Sequence, residues 1–156
     1  SPYAGDAQRE IKALSADEIE AYLAGKGQGL ARAAELHGYP GPRHVLDLAT
    51  ELALTADQRA RTQQLFDIMQ ADAQRLGRAL VDAEATLDRH FARRSIDAKT
   101  LAVSLDRIGA LQADLRGVHL QAHLAQVEIL TPGQIASYDR LRGYASDVEA
   151  AAHHAH

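Results

Sequence analysis

Residues 54–58 read Leu54-Thr55-Ala56-Asp57-Gln58, and residues 130–134 read Leu130-Thr131-Pro132-Gly133-Gln134. Both are Leu-Thr-x-x-Gln, and each opens a segment with helical patterning. A Thr at the N-cap accepts from the backbone N–H three residues on, and a Gln at that third position reaches back to the N-cap N–H. In the second copy Pro132 falls at the first helical position, where its missing donor costs nothing. Each copy therefore predicts a helix start.

Downstream of the first copy, Thr55 to Arg94 contains no proline, and its apolar residues fall at Leu65, Met69, Ala73, Leu76, Leu80, Ala83, Leu87 and Phe91. Steps of three and four make this one long helix with a seam close to a heptad. At a rise of about 1.5 Å per residue, such a helix is a rod of roughly 57 Å. Ser95-Ile96-Asp97 breaks the pattern, and Asp97 is a good N-cap for the next helix. That helix is predicted from about Ala98 to Ile129. Its stripe is Leu101, Leu105, Ile108, Leu111 or Gln112, Leu115, Val118, Ala122 and Val127 or Ile129. The short turn makes the two rods an antiparallel hairpin. After the second copy, a last helix is predicted over Gln134 to Tyr144, with Tyr138 and Leu141 packing back on the hairpin.

Upstream, Ser15-Ala16-Asp17-Glu18 is a further capping box and starts a helix near Ala16. Gly25, Gly27 and Gly29 then interrupt the pattern. No strand precedes them, and their spacing fits neither the Walker nor the dinucleotide phosphate loop, so they read as a helix break. Leu30 to Leu36 reads as a short helix, His37 to Pro42 as a rigid turn, and Pro42 to Leu52 as another helix. The whole is all-α: a long antiparallel helical hairpin with short flanking helices. It is taken as one domain over residues 1–156, with short helices in 1–41, the hairpin core in 42–144 and a histidine-containing tail in 145–156.

Composition narrows the function. Hydrophobic residues make up 46% of the chain but aromatics only 4%, with no Trp. That balance favours thin helical layers. A thin hairpin buries little surface by itself, so a homodimer is expected. The net charge of −4 offers no basic face, which argues against nucleic acid as a partner. Without cysteine there is no disulfide, thiolate nucleophile or cysteine-based metal site. The carboxylates interleave with arginines as a solvated helix face, no serine sits in a nucleophile elbow, and the chain does not read as an enzyme. It begins at Ser1 without Met, so a signal peptide or anchor is expected to have been removed.

Taken together, the paired motifs, the helical pattern and the composition resemble the LTxxQ family of periplasmic bacterial proteins over roughly Val45 to Tyr144. That family includes the Spy and CpxP stress proteins, the zinc-binding ZraP and the CnrX-type heavy-metal sensors. The resemblance implies long antiparallel helices, usually dimeric, a periplasmic location and one of two functions. The first is heavy-metal sensing or buffering in a metal or envelope stress response, with a membrane sensor protein as partner. The second is ATP-independent chaperoning of unfolded client proteins by a cradle of apolar and basic residues. Residues 55–95 carry seven Arg against six Asp or Glu, so a chaperone face here would be barely cationic.

Histidine carries the candidate chemistry. His119 and His123 are four apart on one predicted helix, which puts the imidazoles on one face with Cβ atoms roughly 6 Å apart, a workable geometry for sharing one metal ion. Leu120 follows His119 where a metalloprotease needs its glutamate base, so that chemistry is excluded. In the CnrX-type members, histidines and a glutamate from different helices bind the metal, and His119 and His123 would be the matching element here. His44, on the preceding helix, is a third candidate ligand if the N-terminal part folds back. His90 reads as a core-edge or surface residue. His153, His154 and His156 form a tail, native or appended, able to bind Cu²⁺, Ni²⁺ or Zn²⁺ without a fold. The expected metal is Zn, Cu, Ni or Co.

Overall fold

The computed structural model describes residues 2–144, which are helical with no strand among them. A 3₁₀ turn at Gly5–Gln8 leads to α1 (Ala16–Ala24), α2 (Arg32–Glu35), α3 (Pro42–Asp47), α4 (Ala56–Ala92), α5 (Ala98–Ile129) and α6 (Pro132–Arg142). The two long helices α4 and α5 pack together as the expected hairpin. No helix among the described residues is long and apolar enough to cross a membrane. Four helix starts are made by the side chains the sequence names. Ser15 and Glu18 close a capping box on α1, and Thr131 and Gln134 close one on α6. Thr55 Oγ1 accepts from the Gln58 N–H at 3.0 Å while the Thr55 N–H donates to Gln58 Oε1 at 3.0 Å. Asp97 Oδ1 accepts from the Thr100 N–H at 2.8 Å.

The flanking helices are shorter than predicted. α2 is a single turn from Arg32 to Glu35, set between the left-handed residues Gly29 and Gly38. α3 ends at Asp47 rather than Leu52, because the chain turns over Leu48 to Ala53 with Ala53 at a φ of 52°. That turn brings the Leu54 N–H onto the Ala49 carbonyl at 3.0 Å and drops Leu54 into the core.

The chain forms two compact units. The first comprises the residues up to Gln28 together with Gln70–Val118. In it, Ala73, Leu76 and Leu80 of α4 and Ile108, Leu111 and Leu115 of α5 are buried, as their stripes predict. Leu105 and Phe91 were placed on those stripes but stand exposed, near the hairpin turn where nothing covers them among the described residues. α1 lies against α4 at Gly77, where a Cβ would meet the Tyr22 carbonyl oxygen at 2.1 Å. Ile11 and Leu14 pack with Val81, and the Lys12 N–H donates to Asp88 Oδ1 at 2.9 Å.

The second unit comprises Gly29–Met69 and the described residues from His119 onward. Val45, Ala49, Leu52, Leu54, Leu130 and Tyr138 form its core, so the leucines of both motifs meet in one cluster. Burial of each leucine contributes about 1.5–3 kcal/mol. The motif glutamines clasp each other above it. Gln58 Nε2 donates to Gln134 Oε1 at 2.8 Å, and Gln134 Nε2 donates to Gln58 Oε1 at 2.9 Å. Each amide also donates across to the backbone just before the other's helix, Gln58 to the Ile129 carbonyl and Gln134 to the Leu52 carbonyl. Leu-Thr-x-x-Gln is thus a cap, a core residue and half of a clasp at once. Tyr138 is fully buried as expected, whereas Leu141 is exposed.

Candidate metal centre

α5 continues its buried stripe through two polar residues, His119 and Gln126, around the apolar Ala122. Gln126 finds Thr62 of α4, donating to its hydroxyl at 3.1 Å in a fully buried pair. His119 is 4% exposed, and its Nε2 has no hydrogen-bond partner. Burial, reinforced by the neighbouring charge of His123, holds the His119 imidazole below its ordinary pKa, so the ring is neutral at physiological pH.

His123 lies one turn further along α5. Its Nδ1 is 2.6 Å from the Tyr39 carbonyl oxygen. A carbonyl can only accept, so Nδ1 carries a proton, which leaves Nε2 as the ring nitrogen open to a metal ion. That nitrogen rests against Gly41, where a Cβ would come within 2.8 Å of it. Pro40 and Pro42 flank this glycine, and all three residues are buried. The turn thus holds the Tyr39 carbonyl in place and leaves room for the ring.

Glu35, at the end of α2, stands near Nδ1 of His123. Its Oε2 accepts from the Gly41 N–H at 3.3 Å and lies 3.7 Å from His123 Nδ1. Its Oε1 accepts from the hydroxyls of Tyr138 and Tyr144, the latter at 3.0 Å, with Arg142 Nε 3.9 Å away. Burial and the hydrogen bond to Glu35 push the Tyr138 phenol far above its usual pKa, so it remains a donor.

His44 sits on α3 with Nδ1 3.8 Å from Asp47 Oδ2. Burial and the charge of Arg142 lower its pKa. His90 Nδ1 is 3.1 Å from the Ser95 hydroxyl at the end of α4. His153, His154 and His156 lie outside the described residues. Among the described residues, no three His, Asp or Glu side chains are gathered in a ligand geometry. His119 and His123 lie one turn apart on α5, and His44 lies on α3 within the field of Arg142 and Glu35. From the sequence, Glu35 has no role at the site, and Tyr39 and Gly41 fall only in the rigid turn of residues 37–42. The visible signal was a glycine held between two prolines, next to a helix whose single acid faces inward.

The sequence profile of the heavy-metal resistance family matches residues 22–137. The chain belongs to the heavy-metal resistance family. No curated protein and no solved structure matches it. Membership in a heavy-metal resistance family asks whether the donors here suit a metal ion. Two imidazoles, one with an unpartnered buried nitrogen and one held through Nδ1 by a carbonyl, suit a borderline transition-metal ion. The fixing of His123 through its second nitrogen is the support that metal-ligating histidines usually have.

Proposed function

We propose that this chain is a periplasmic metal-binding protein of the LTxxQ type, acting as a sensor or buffer for a Zn, Cu, Ni or Co ion. The unpartnered, buried Nε2 of His119, one helical turn from His123, is the observation that carries this reading. A buried polar atom left unpaired costs about 1–3 kcal/mol, a cost that a bound ligand would remove. His119 and His123 would hold the ion. The remaining ligands would come from His44, the tail histidines His153, His154 and His156, water or a second copy of the chain. The ion itself would supply a charge joining segments that the fold already packs through the Val45, Leu54, Leu130 and Tyr138 core and the Glu35 contacts. In this reading the altered surface is presented to a membrane sensor protein.

The chain is further proposed to act as a homodimer. Val103 and Leu105 stand exposed on the first unit, and Val103 lines a shallow groove with Ala79, Ala83, Asp82 and Arg107. Asp82 and Arg107 on one surface give a two-fold interface complementary charges. The metal reading is tested by ¹⁵N NMR of the histidine side chains during Zn²⁺ addition. Large shifts at Nε2 of His119 and His123, with His90 unchanged, are the expected result. No shift at either nitrogen overturns the site.

A further inference from the structure

Glu35 does more than a structural acid at a helix end requires. Its side chain is 14% exposed, and its two oxygens face different elements. One accepts two tyrosine hydroxyls, from Tyr138 on α6 and from Tyr144 just beyond it. The other accepts the Gly41 N–H and stands beside the protonated nitrogen of His123. Every link from α6 to the histidine pair among these contacts passes through this one carboxylate.

We propose that Glu35 is a positioning residue that couples engagement of His123 Nε2 to the docking of α6, through the hydroxyls of Tyr138 and Tyr144. The proposal rests on the metal reading above. With a cation on Nε2, the His123 ring carries more positive charge, and the Glu35 carboxylate 3.7 Å from Nδ1 is held more firmly by charge attraction while the Nδ1–H stays on the Tyr39 carbonyl. A fixed carboxylate is a better acceptor site for the two tyrosines, so α6 is held more firmly too. The reverse follows from linkage. Docked tyrosines pre-place Glu35 beside the ring and raise metal affinity by the same factor.

The test uses the full chain with His153, His154 and His156 changed to Ala, so that the tail contributes no binding. Glu35→Gln and Tyr144→Phe are made on that parent. Zn²⁺ affinity is measured by calorimetry, and amide exchange across α6 is measured with and without Zn²⁺. Glu35→Gln is expected to weaken Zn²⁺ binding by about 10–100-fold, the usual effect of losing a group that orients a ligand. Tyr144→Phe is expected to weaken it by about 3–10-fold, as befits one hydrogen bond. Zn²⁺ should slow α6 exchange in the parent and leave it unchanged in Glu35→Gln. A purely structural glutamate would not give that metal-dependent response. Tyr144→Phe keeps the carboxylate and removes one hydroxyl, so it carries the test if Glu35→Gln fails to fold. A parent that binds Zn²⁺ beside variants of unchanged affinity overturns the coupling alone. A parent that takes no Zn²⁺ overturns the site and the coupling with it.

Discussion

Replacing His119 by Leu should make the protein more stable and less able to bind metal. The imidazole is 4% exposed and its Nε2 has no partner. An unsatisfied buried acceptor costs about 1–3 kcal/mol, and a leucine of similar size removes that cost. Allowing for imperfect packing of the new side chain, a net gain of about 1–2 kcal/mol is expected at pH 7.5. For a chain of this size that is a rise of about 2–8 °C in Tm. The gain should grow in acid. Burial lowers the His119 pKa in the fold, so the unfolded chain binds the proton more readily. The parent therefore keeps the full contribution of this residue above the unfolded imidazole value of about 6.5 and loses stability as the pH falls below it. The variant has no such loss. Thermal melts of both proteins by circular dichroism, at pH 7.5 and 5.5 with chelator present, measure the difference. A variant less stable than the parent by more than about 1 kcal/mol at pH 7.5 would refute the reasoning, because it would mean that the ring makes a favourable contact through that nitrogen.

Three other outcomes follow from the packing. Gly77→Ala puts a methyl group within 2.1 Å of the Tyr22 carbonyl oxygen, so despite a helix-propensity gain of about 1 kcal/mol it should cost about 1–2 kcal/mol or more, with amides of residues 16–24 exchanging faster. Gln58→Ala and Gln134→Ala each remove half of the clasp and one arm of a capping box, and each should cost about 2 kcal/mol. Because they share the clasp, the double variant should cost less than the sum by about 1 kcal/mol in urea unfolding, and simple additivity would show that the two amides do not cooperate. Val103→Glu with Leu105→Glu puts charge on two exposed residues, so it should convert a dimer to a monomer in light scattering and make Tm independent of protein concentration.

The helix starts were legible because capping is local. Ser15, Thr55, Asp97 and Thr131 lie within three residues of the groups they pair with. The apolar stripes were legible where burial follows residue type, as at Leu76, Leu80, Ile108 and Leu115. They failed where it does not. His119 and Gln126 continue the buried face of α5 but are polar, and Leu105 and Phe91 are apolar but stand exposed. The end of α3 was overrun because a left-handed alanine such as Ala53 carries no signal in its type. The clasp between Gln58 and Gln134 joins residues far apart in the chain, so the sequence named both partners without pairing them. Spacing put His119 and His123 on one helix face, but their roles depend on Tyr39, Gly41 and Glu35, which reach His123 only through tertiary folding.

Calorimetric titration of Zn²⁺, Cu²⁺, Ni²⁺ and Co²⁺ into the chain with His153, His154 and His156 changed to Ala tests the central claim most directly. The account predicts tight, roughly stoichiometric binding of at least one of these ions, abolished when His119 and His123 are both changed to Ala. Binding that survives in the double variant would contradict this site and place the metal elsewhere, and no binding by the parent would contradict the metal reading and put the chaperone reading of the hairpin in its place.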